Sequence, residues 1–188
     1  MNLFEVVCLF LTLLIGISII ISTLRTGISP MPSSYRVRKA MLEQLDMTAQ
    51  VSHVADLGSG WGHLGIAVAK AHPHIQVIGF EVSFFPWLVS VLWAKCEGLS
   101  NVTFKRQNFL LADLPVFQVY YCYLFPKGMQ SLSRVLQQQK LAELTEGGSI
   151  VMPPRHLISN TFALPDHHPR SMTTMTDMYR TKVYTYHL

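Results

Sequence analysis

Charged side chains are scarce in this sequence. Only 14% of its 188 residues are Asp, Glu, Lys or Arg, whereas soluble domains carry about 25%. Hydrophobic residues make up 49%, and the excess lies mostly at the N-terminus. A chain of this length has room for one domain and an appendage, and it can bury a full core without disulfides.

Cysteine is also rare, and its placement excludes two kinds of site. Cys8, Cys96 and Cys122 are isolated, with no C-x-x-C pair. Neither a disulfide framework nor a zinc site is therefore predicted, and the cysteines are typical of small apolar residues in a reducing compartment. The histidines are not spaced with carboxylates or cysteines as a metal set would be, so we expect no metal.

The one long hydrophobic run predicts a membrane anchor. Leu3 to Leu24 contains a single charged residue, Glu5, and a helix of that length spans roughly 33 Å at about 1.5 Å per residue. A cleaved signal peptide is disfavoured because no Lys or Arg precedes the run and no A-x-A cleavage site follows it. We expect a retained single-pass anchor in contact with the lipid bilayer.

The charges around this run predict its orientation. Arg25, Arg36, Arg38 and Lys39 follow the span, whereas its N-terminal side carries Glu5. The positive-inside rule places the following domain in the cytoplasm, or in the matrix of a mitochondrion. The absence of an Arg-rich presequence favours a bacterial inner membrane. The net charge of +4 comes partly from this cluster, so it does not indicate a nucleic-acid partner.

Beyond the anchor (residues 1–25) and a Pro-containing linker (26–34), strand and helix patterns alternate over residues 35–188. The predicted helices are Tyr35–Leu45, Leu64–Ala71, Pro86–Glu97 and Met129–Leu144. The predicted strands are Ser52–Leu57, Gln76–Phe80, Val102–Lys105, Val119–Phe125, Ser149–Met152 and a terminal strand within residues 179–188. This succession predicts an α/β fold with a doubly wound, mostly parallel, Rossmann-like sheet.

The stretch VADLGSGWGHLG, residues 54–65, admits two cofactor frames. From Gly60 it reads G-x-G-x-x-G, which is typical of nicotinamide and flavin proteins. That frame forces strand one through Asp56 and buries an unpaired acid. Starting the frame at Gly58 instead puts His63 at the third glycine position.

The alternative frame, D-L-G-S-G-W-G, is the signature of S-adenosylmethionine (SAM) enzymes, and it accommodates every residue. Strand one then ends at Asp56, and the turn contains Gly58, Ser59, Gly60 and Gly62. Glycines let the backbone turn tightly with no Cβ in the way of a ligand. An acid beside this turn suits a ligand that carries an α-ammonium group, so we assign the turn to SAM and regard an oxidoreductase as a distant alternative.

Two more polar residues follow the next strands. Glu81 ends strand two, where a carboxylate can accept hydrogen bonds from both hydroxyls of a ribose. Asn108 lies just past strand three, where a contact to the edge of adenine is commonly placed. A solvated strand-end carboxylate and an ordinary loop asparagine are the alternatives at these two positions.

With these motifs placed, the sequence resembles class I SAM-dependent methyltransferases. More closely, it resembles the small membrane-anchored lysine methyltransferases of the ATP synthase c-subunit and the adenine nucleotide translocase, and their bacterial relatives. The matching segments are the anchor, the Pro30–Ser33 linker, Val54–Gly60, Glu81 with Pro86–Val89, Val102–Phe104, Phe125–Pro126, Gly147–Gly148 and Val183–Tyr186. One departure is Asn108, since the family usually has an acid there.

The resemblance implies methyl transfer to a lysine of a membrane or membrane-adjacent protein. Tyr123, Phe125 and Pro126, at the end of strand four, are the candidate residues of the acceptor channel, although aromatic residues here also suit a strand core. No general base is identifiable. Two alternatives stay open: methylation of a lipid-soluble small molecule or lipid headgroup, and a SAM-binding membrane module that has lost catalysis.

Overall fold

The computed structural model describes residues 2–26, 32–46, 51–111, 117–145 and 155–188. Five helices are present: α1 (Leu3–Thr26), α2 (Tyr35–Asp46), α3 (His63–Ala71), α4 (Phe84–Cys96) and α5 (Pro126–Thr145). Seven strands form one sheet: β1 (His53–Leu57), β2 (Gln76–Glu81), β3 (Val102–Arg106), β4 (Val119–Cys122), β5 (His156–Asn160), β6 (Ser171–Thr174) and β7 (Lys182–His187). A short 3-10 turn covers Phe109–Leu111.

The strand order is β3-β2-β1-β4-β5-β7-β6. Strands β1 to β5 pair in parallel, and β7 is antiparallel to both of its neighbours. The order reverses direction at β1, which lies between β2 and β4. Open α/β sheets bind ligands outside the carboxyl ends of the strands at such a point, and the glycine-rich turn follows β1 directly.

Side chains that alternate along the central strands build a core on each face of the sheet. In β4, Val119 and Tyr121 belong to the core under α2 and α3, whereas Tyr120 and Cys122 belong to the core under α5. Tyr121 lies wholly inside the first core, and its hydroxyl donates to the carbonyl of Met41 in α2 at 3.0 Å. That bond satisfies the one polar atom of the ring.

The predicted α/β fold with a mostly parallel sheet is confirmed, with differences at the ends of some elements. Strand β1 runs through Asp56 to Leu57, whereas the SAM frame ended it at Asp56. The strand therefore does contain a buried acid, the feature that was held against the dinucleotide frame. Strand β4 ends at Cys122, earlier than the predicted Phe125, because helix α5 begins at Pro126, a residue favoured in the first helical turn. The predicted strand Ser149–Met152 lies outside the described residues. Strands β5 and β6 were not predicted.

Strand β5 was missed because its composition is mixed. HLISN contains three polar residues, yet all five positions are buried, since the strand lies between β4 and β7. Its polar groups find partners: the Ser159 hydroxyl donates to the Phe162 carbonyl at 2.6 Å, and the Asn160 amide donates to the Ser33 hydroxyl at 3.0 Å. Hydrogen bonds of this kind remove the energetic cost of burying polar side chains in a strand. A hydropathy pattern does not show them.

Helix α1 stands apart from the sheet in composition and exposure. Its segment Leu3–Ile21 has 19 residues and a mean hydropathy of 2.7, and none of it is buried. By length and composition this segment is able to cross a bilayer.

Gly79 in β2 lies where a side chain cannot fit. A Cβ there would lie 2.4 Å from Cδ1 of Phe104 and 3.0 Å from Cβ of Ser59. We expect Gly79→Ala to lower the free energy of unfolding by about 1–3 kcal/mol, as overpacking of a core does. Thermal unfolding followed by circular dichroism checks this, and Gly79→Ala combined with Phe104→Leu should recover part of the loss relative to Phe104→Leu alone. An unchanged Tm in the single Gly79→Ala variant would contradict the expected clash.

Candidate active site

A cavity of about 580 Å³ lies at the carboxyl ends of β1, β2 and β4. This volume is in the range of small-molecule and cofactor sites. The turns after these three strands supply most of its lining, and the N-terminal region adds Leu24, Pro32, Ser33 and Met41. The cavity therefore joins the sheet to the end of α1 and to α2.

The glycine-rich turn lies against this cavity with an unusual backbone. Gly58, Gly60 and Gly62 have φ values of +79°, +52° and +82°, a region that side chains disfavour. The amides of Gly58 and Ser59 both donate to the carbonyl of Phe80 at 2.9 Å. These bonds tie the turn to the end of β2, so the two strand ends form one rigid wall.

The three glycines of this turn do not have the same surroundings. Gly58 and Gly60 line the cavity, and nothing lies within 4 Å of a Cβ built on Gly60. Gly62 is not among the lining residues, and a Cβ there would lie 2.6 Å from Cβ of Ser90 in α4. Gly60 therefore leaves room for a ligand, whereas Gly62 allows the turn to pack against α4.

Glu81 connects the turn after β1 with the turn after β2. It is 8% exposed; its Oε2 accepts a hydrogen bond from the Gly60 amide at 2.9 Å, and its Oε1 accepts one from the Ser83 amide at 2.7 Å. Each carboxylate oxygen has a second lone pair for another donor. The carboxylate therefore holds the glycine turn in shape while it lines the cavity, and it keeps acceptor sites for the hydroxyls of a ribose.

Asp56 is the most strongly perturbed carboxyl of the site. It is 4% exposed and lines the cavity. Burial raises its pKa to about 7, the Gly65 amide opposes this rise by hydrogen bonding, and the charge of Glu81 adds to it. Within the described part of the chain, Oδ2 of Asp56 has no hydrogen-bond partner. A buried carboxyl with a free oxygen is suited to a cationic ligand group, whose charge would lower the pKa again.

Ligand affinity should therefore depend on pH. An α-ammonium group binds best to ionised Asp56, and the group itself stays charged below about pH 7.7. With a free-state pKa of about 7, affinity for S-adenosylhomocysteine (SAH) should rise roughly fivefold from pH 6 to pH 7. Isothermal titration calorimetry of the full chain in detergent measures this rise. In Asp56→Asn the rise should disappear, and a rise of equal size in that variant would assign the effect to another group.

The turn after β3 forms a further side of the cavity. Asn108, Phe109 and Leu110 line it, and Oδ1 of Asn108 accepts the amide hydrogen of Leu110 at 3.0 Å. That bond engages the side-chain carbonyl and leaves the amide nitrogen as a donor. A donor suits a ring nitrogen of adenine, whereas an acid here, as the resemblance implies, would suit the exocyclic amine.

Aromatic side chains lie on the side of the cavity that follows β4. Tyr123 and Phe125 line it, and the Phe162 ring lies behind both, stacked on Tyr123 at 6.3 Å and edge-on to Phe125 at 5.8 Å between ring centroids. Pro126 begins α5 and is not among the lining residues. Neither Tyr123 nor Phe125 is buried, and Phe125 is 45% exposed, so the expectation of strand-core aromatics does not apply to them.

Several lining residues were not predicted from the sequence. They include Trp61, His63, Val82, Lys127 and Ser131, together with the N-terminal residues named above. Nδ1 of His63 is buried and, among the described residues, has no hydrogen-bond partner; the pKa of the ring is lowered by burial and, to a smaller degree, by Arg38. His63 follows the glycine turn directly, and that proximity was the available signal.

Two kinds of chemistry find no support in this site. Over the described ranges, no group of three or more His, Cys, Asp or Glu residues is placed to hold a metal ion. Cys122 lines the cavity, but burial raises the pKa of its thiol to about 12. The thiol is therefore neutral at physiological pH and is not a ready nucleophile.

Comparison with known proteins decides the family. A family model described as the ANTKMT methyltransferase domain matches residues 56–171, well over half of the chain. The chain belongs to this family. It is accordingly a class I SAM-dependent methyltransferase, as predicted from the glycine turn. No curated protein matches the sequence.

Solved structures share the fold of this chain. An RNA methyltransferase from Salinibacter ruber, in complex with SAH, is 25% identical with a TM-score of 0.69, covering 84% of this chain and 93% of its own. A precorrin-6y C5,15-methyltransferase from Geobacter metallireducens shares the fold at 12% identity and a TM-score of 0.61, over 82% and 88% of the two chains. A mutant of MtNAS in complex with SAM shares it at 11% identity and a TM-score of 0.60, over 80% and 61%.

The residues around the cavity fit SAM as cofactor of this methyltransferase. The free oxygen of Asp56 suits the α-ammonium group, Glu81 suits the ribose hydroxyls, and Asn108 with its two apolar neighbours suits the adenine. Gly60 leaves the space that the ligand needs close to the backbone. Tyr123 and Phe125 line a further side of the cavity, next to the N-terminal residues.

Proposed function

We propose that this methyltransferase modifies the side-chain amine of a lysine in a membrane or membrane-adjacent protein. The aromatic wall of Tyr123 and Phe125, supported by Phe162, is the observation that carries the proposal. A lysine ammonium is attracted to aromatic faces. Family membership supports the same substrate class, since the residues resemble those of lysine methyltransferases.

SAM supplies a methyl group that its sulfonium charge has already activated. The protein's own tasks are therefore to orient the two reactants and to exclude water from them. The acceptor amine has to lose its proton before it reacts. An apolar aromatic entrance lowers the pKa of an amine by desolvation, and the ammonium of Lys127, which also lines the cavity, disfavours a second positive charge nearby.

The proposal includes membrane attachment through α1. The span Leu3–Ile21 carries no Lys or Arg, whereas Arg36, Arg38 and Lys39 follow it. This asymmetry supports a single-pass anchor with the catalytic domain on the cytoplasmic side of a bacterial inner membrane, or on the matrix side of a mitochondrial one. An enzyme held in this way meets acceptors near the bilayer far more often than soluble ones.

Tritiated SAM tests the substrate class directly. Membranes from a strain lacking the gene are incubated with the purified full-length protein, and label is counted in the protein, RNA and organic-extractable fractions. We expect label in protein, resistant to ribonuclease, and mass spectrometry should identify methyl-lysine. Label in the organic fraction would instead support a lipid or small-molecule acceptor.

Two other outcomes of this assay would also contradict the proposal. Ribonuclease-sensitive label would point to RNA, the substrate class named for the Salinibacter ruber protein. Tight SAM binding without label in any fraction would support a non-catalytic module. The Gly60→Arg variant serves as the blank in every fraction.

The aromatic wall also predicts that one substitution can lower kcat/KM for the acceptor without lowering the affinity for SAH. We expect Phe162→Ala to lower kcat/KM for the acceptor by roughly tenfold, because an unsupported Tyr123 and Phe125 lose about 1 kcal/mol of aromatic contact and their fixed orientation. The affinity for SAH should change less than about twofold, since Phe162 is not among the lining residues. Initial rates and calorimetry measure the two quantities.

Tyr179, which is 86% exposed, offers the matched control as Tyr179→Ala. That variant should leave both quantities unchanged. Equal losses of acceptor turnover and SAH affinity in Phe162→Ala would show that the ring supports the whole cavity and has no selective part on the acceptor side.

A further inference from the structure

Helix α4 exposes large apolar side chains and buries small ones. Its outward face consists of Phe84, Phe85, Leu88, Val89 and Leu92, and we call these five residues the α4 face. Phe84, Val89 and Leu92 are 42%, 41% and 52% exposed, and the other two are half-buried. The residues that α4 buries are Pro86, Ser90 and Ala94. This is the reverse of a helix whose large residues complete a soluble core.

The other long helix on the sheet has the ordinary pattern. Helix α5 buries Met129, Leu132 and Leu136. Its exposed residues are mostly polar or charged: Lys127, Gln130, Arg134, Gln137, Gln138 and Lys140. The apolar exterior is therefore particular to α4, and no charged residue interrupts it between Phe84 and Ala94. An exposed apolar patch of this kind marks an interaction surface.

The position of α4 beside α1 indicates what covers this face. Helix α1 contacts α4. The residues of α1 that are partly shielded include Ile19 and Thr23, which share one side of the helix. If Leu3–Ile21 crosses the bilayer, these two residues lie within roughly 3 Å of the span's end, at about 1.5 Å per residue. A helix that packs there lies at the boundary between headgroups and acyl chains, as an interfacial helix does.

Cationic groups border the α4 face as a membrane surface requires. The Arg106 guanidinium lies 5.5 Å from the centroid of the Phe84 ring and 6.0 Å from that of Trp87. Lys95 is exposed at the C-terminal end of the helix. A cation beside an inserted aromatic ring is placed at the level of anionic lipid headgroups.

We infer that the α4 face is a second membrane-binding surface, which lies in the interfacial layer of the bilayer beside α1. The inference rests on the proposed role of α1 as a membrane span. Leu24, at the end of α1, and Val82 and Ser83, just before α4, all line the cavity. Insertion of α4 therefore places these lining residues, and with them the mouth of the cavity, at the level of the lipid headgroups. Only acceptor groups that project a short distance from the membrane can then enter the cavity.

Spin labels on the full-length protein in phosphatidylcholine–phosphatidylglycerol vesicles test this inference. The first protein carries its label at position 89 (Val89→Cys), and the control carries it at position 138 on α5 (Gln138→Cys). In both, the exposed native cysteines are removed by Cys8→Ser and Cys96→Ser. A third label on native Cys8, with Cys96→Ser, reports on the span; Cys122 is buried in all three proteins. Power saturation compares the accessibility of each label to oxygen, which concentrates in lipid, and to a water-soluble nickel chelate.

We expect the labels at positions 8 and 89 to be accessible to oxygen and the label at 138 to the nickel chelate. Adding Leu92→Glu should shift position 89 toward the chelate without changing position 8. A water-accessible label at 89 with a lipid-accessible label at 8 would overturn the inference and leave the anchor intact. A water-accessible label at 8 would overturn both. A label at 89 shielded from both reagents would mean that protein, such as a second copy of the chain, covers the face.

Discussion

Gly60→Arg should abolish detectable binding of SAH while the protein stays folded. Gly60 lines the cavity, and nothing lies within 4 Å of a Cβ at this position. A long side chain therefore extends into the ligand space without a clash in the protein. Because φ is +52°, the substitution also costs about 1–2 kcal/mol of backbone strain, which lowers Tm by only a few degrees in a chain of this size.

Gly98→Arg is the matched control for this variant. Gly98 follows α4 with a φ of +66°, and a Cβ there also meets nothing within 4 Å. It is not among the residues that line the cavity, so the control incurs a similar backbone cost at a remote site. We expect similar Tm values for the two variants and wild-type SAH affinity for Gly98→Arg. If Gly60→Arg bound SAH with near wild-type affinity, the glycine turn would not be part of the cofactor site.

Asp56→Asn should weaken SAH binding and stabilise the ligand-free protein. Losing the carboxylate partner of a buried ammonium typically costs 2–5 kcal/mol, so we expect affinity to fall roughly a hundredfold at pH 7.5. Burial raises the pKa of Asp56 from 3.8 to about 7. The folded state therefore binds more protons than the unfolded state between these values, and stability falls as pH rises through that window.

The variant removes this pH-dependent cost. At pH 8, where wild-type Asp56 is ionised, Asp56→Asn should be the more stable protein, by up to about 4 kcal/mol. At pH 4 the two proteins should differ little, since Asp56 is then protonated in the folded state and pH 4 lies at the lower edge of the window. Urea unfolding at the two pH values measures the difference. Asp166→Asn changes an exposed carboxyl and should alter neither affinity nor stability.

A variant that loses affinity and stability together would contradict this account of Asp56. Such a result would mean that the carboxylate mainly supports the local fold through its hydrogen bond with the Gly65 amide. The predicted opposition between binding and stability is typical of a site whose strain is maintained for function.

The cofactor side of the site was accessible to sequence analysis because its signals are local. Asp56 lies near the end of β1, the glycines follow it in the turn, and Glu81 ends the next strand. In a parallel sheet adjacent strand ends meet at one edge, so three short segments predicted one site. The polar and small residues at these positions were informative because a buried strand end seldom contains them for packing reasons alone.

The rest of the site depends on contacts between distant segments. Met41 and Leu24 reach the cavity from helices at the N-terminus, and no spacing in the sequence connects them with β1. Phe162 supports Tyr123 and Phe125 from the turn after β5, a strand that its mixed composition concealed. Gly62 was assigned to the ligand because of its place in the motif, whereas its neighbours in space are Ser90 and Phe104.

The most direct test of the account is a crystal structure of the full-length protein with SAH. We predict that the α-ammonium group lies against the free oxygen of Asp56, that the ribose hydroxyls donate to Glu81, and that the adenine lies between Val82 and the Asn108–Leu110 turn. A structure in which the ribose of SAH does not contact Glu81, or in which SAH lies outside the cavity, would contradict this prediction.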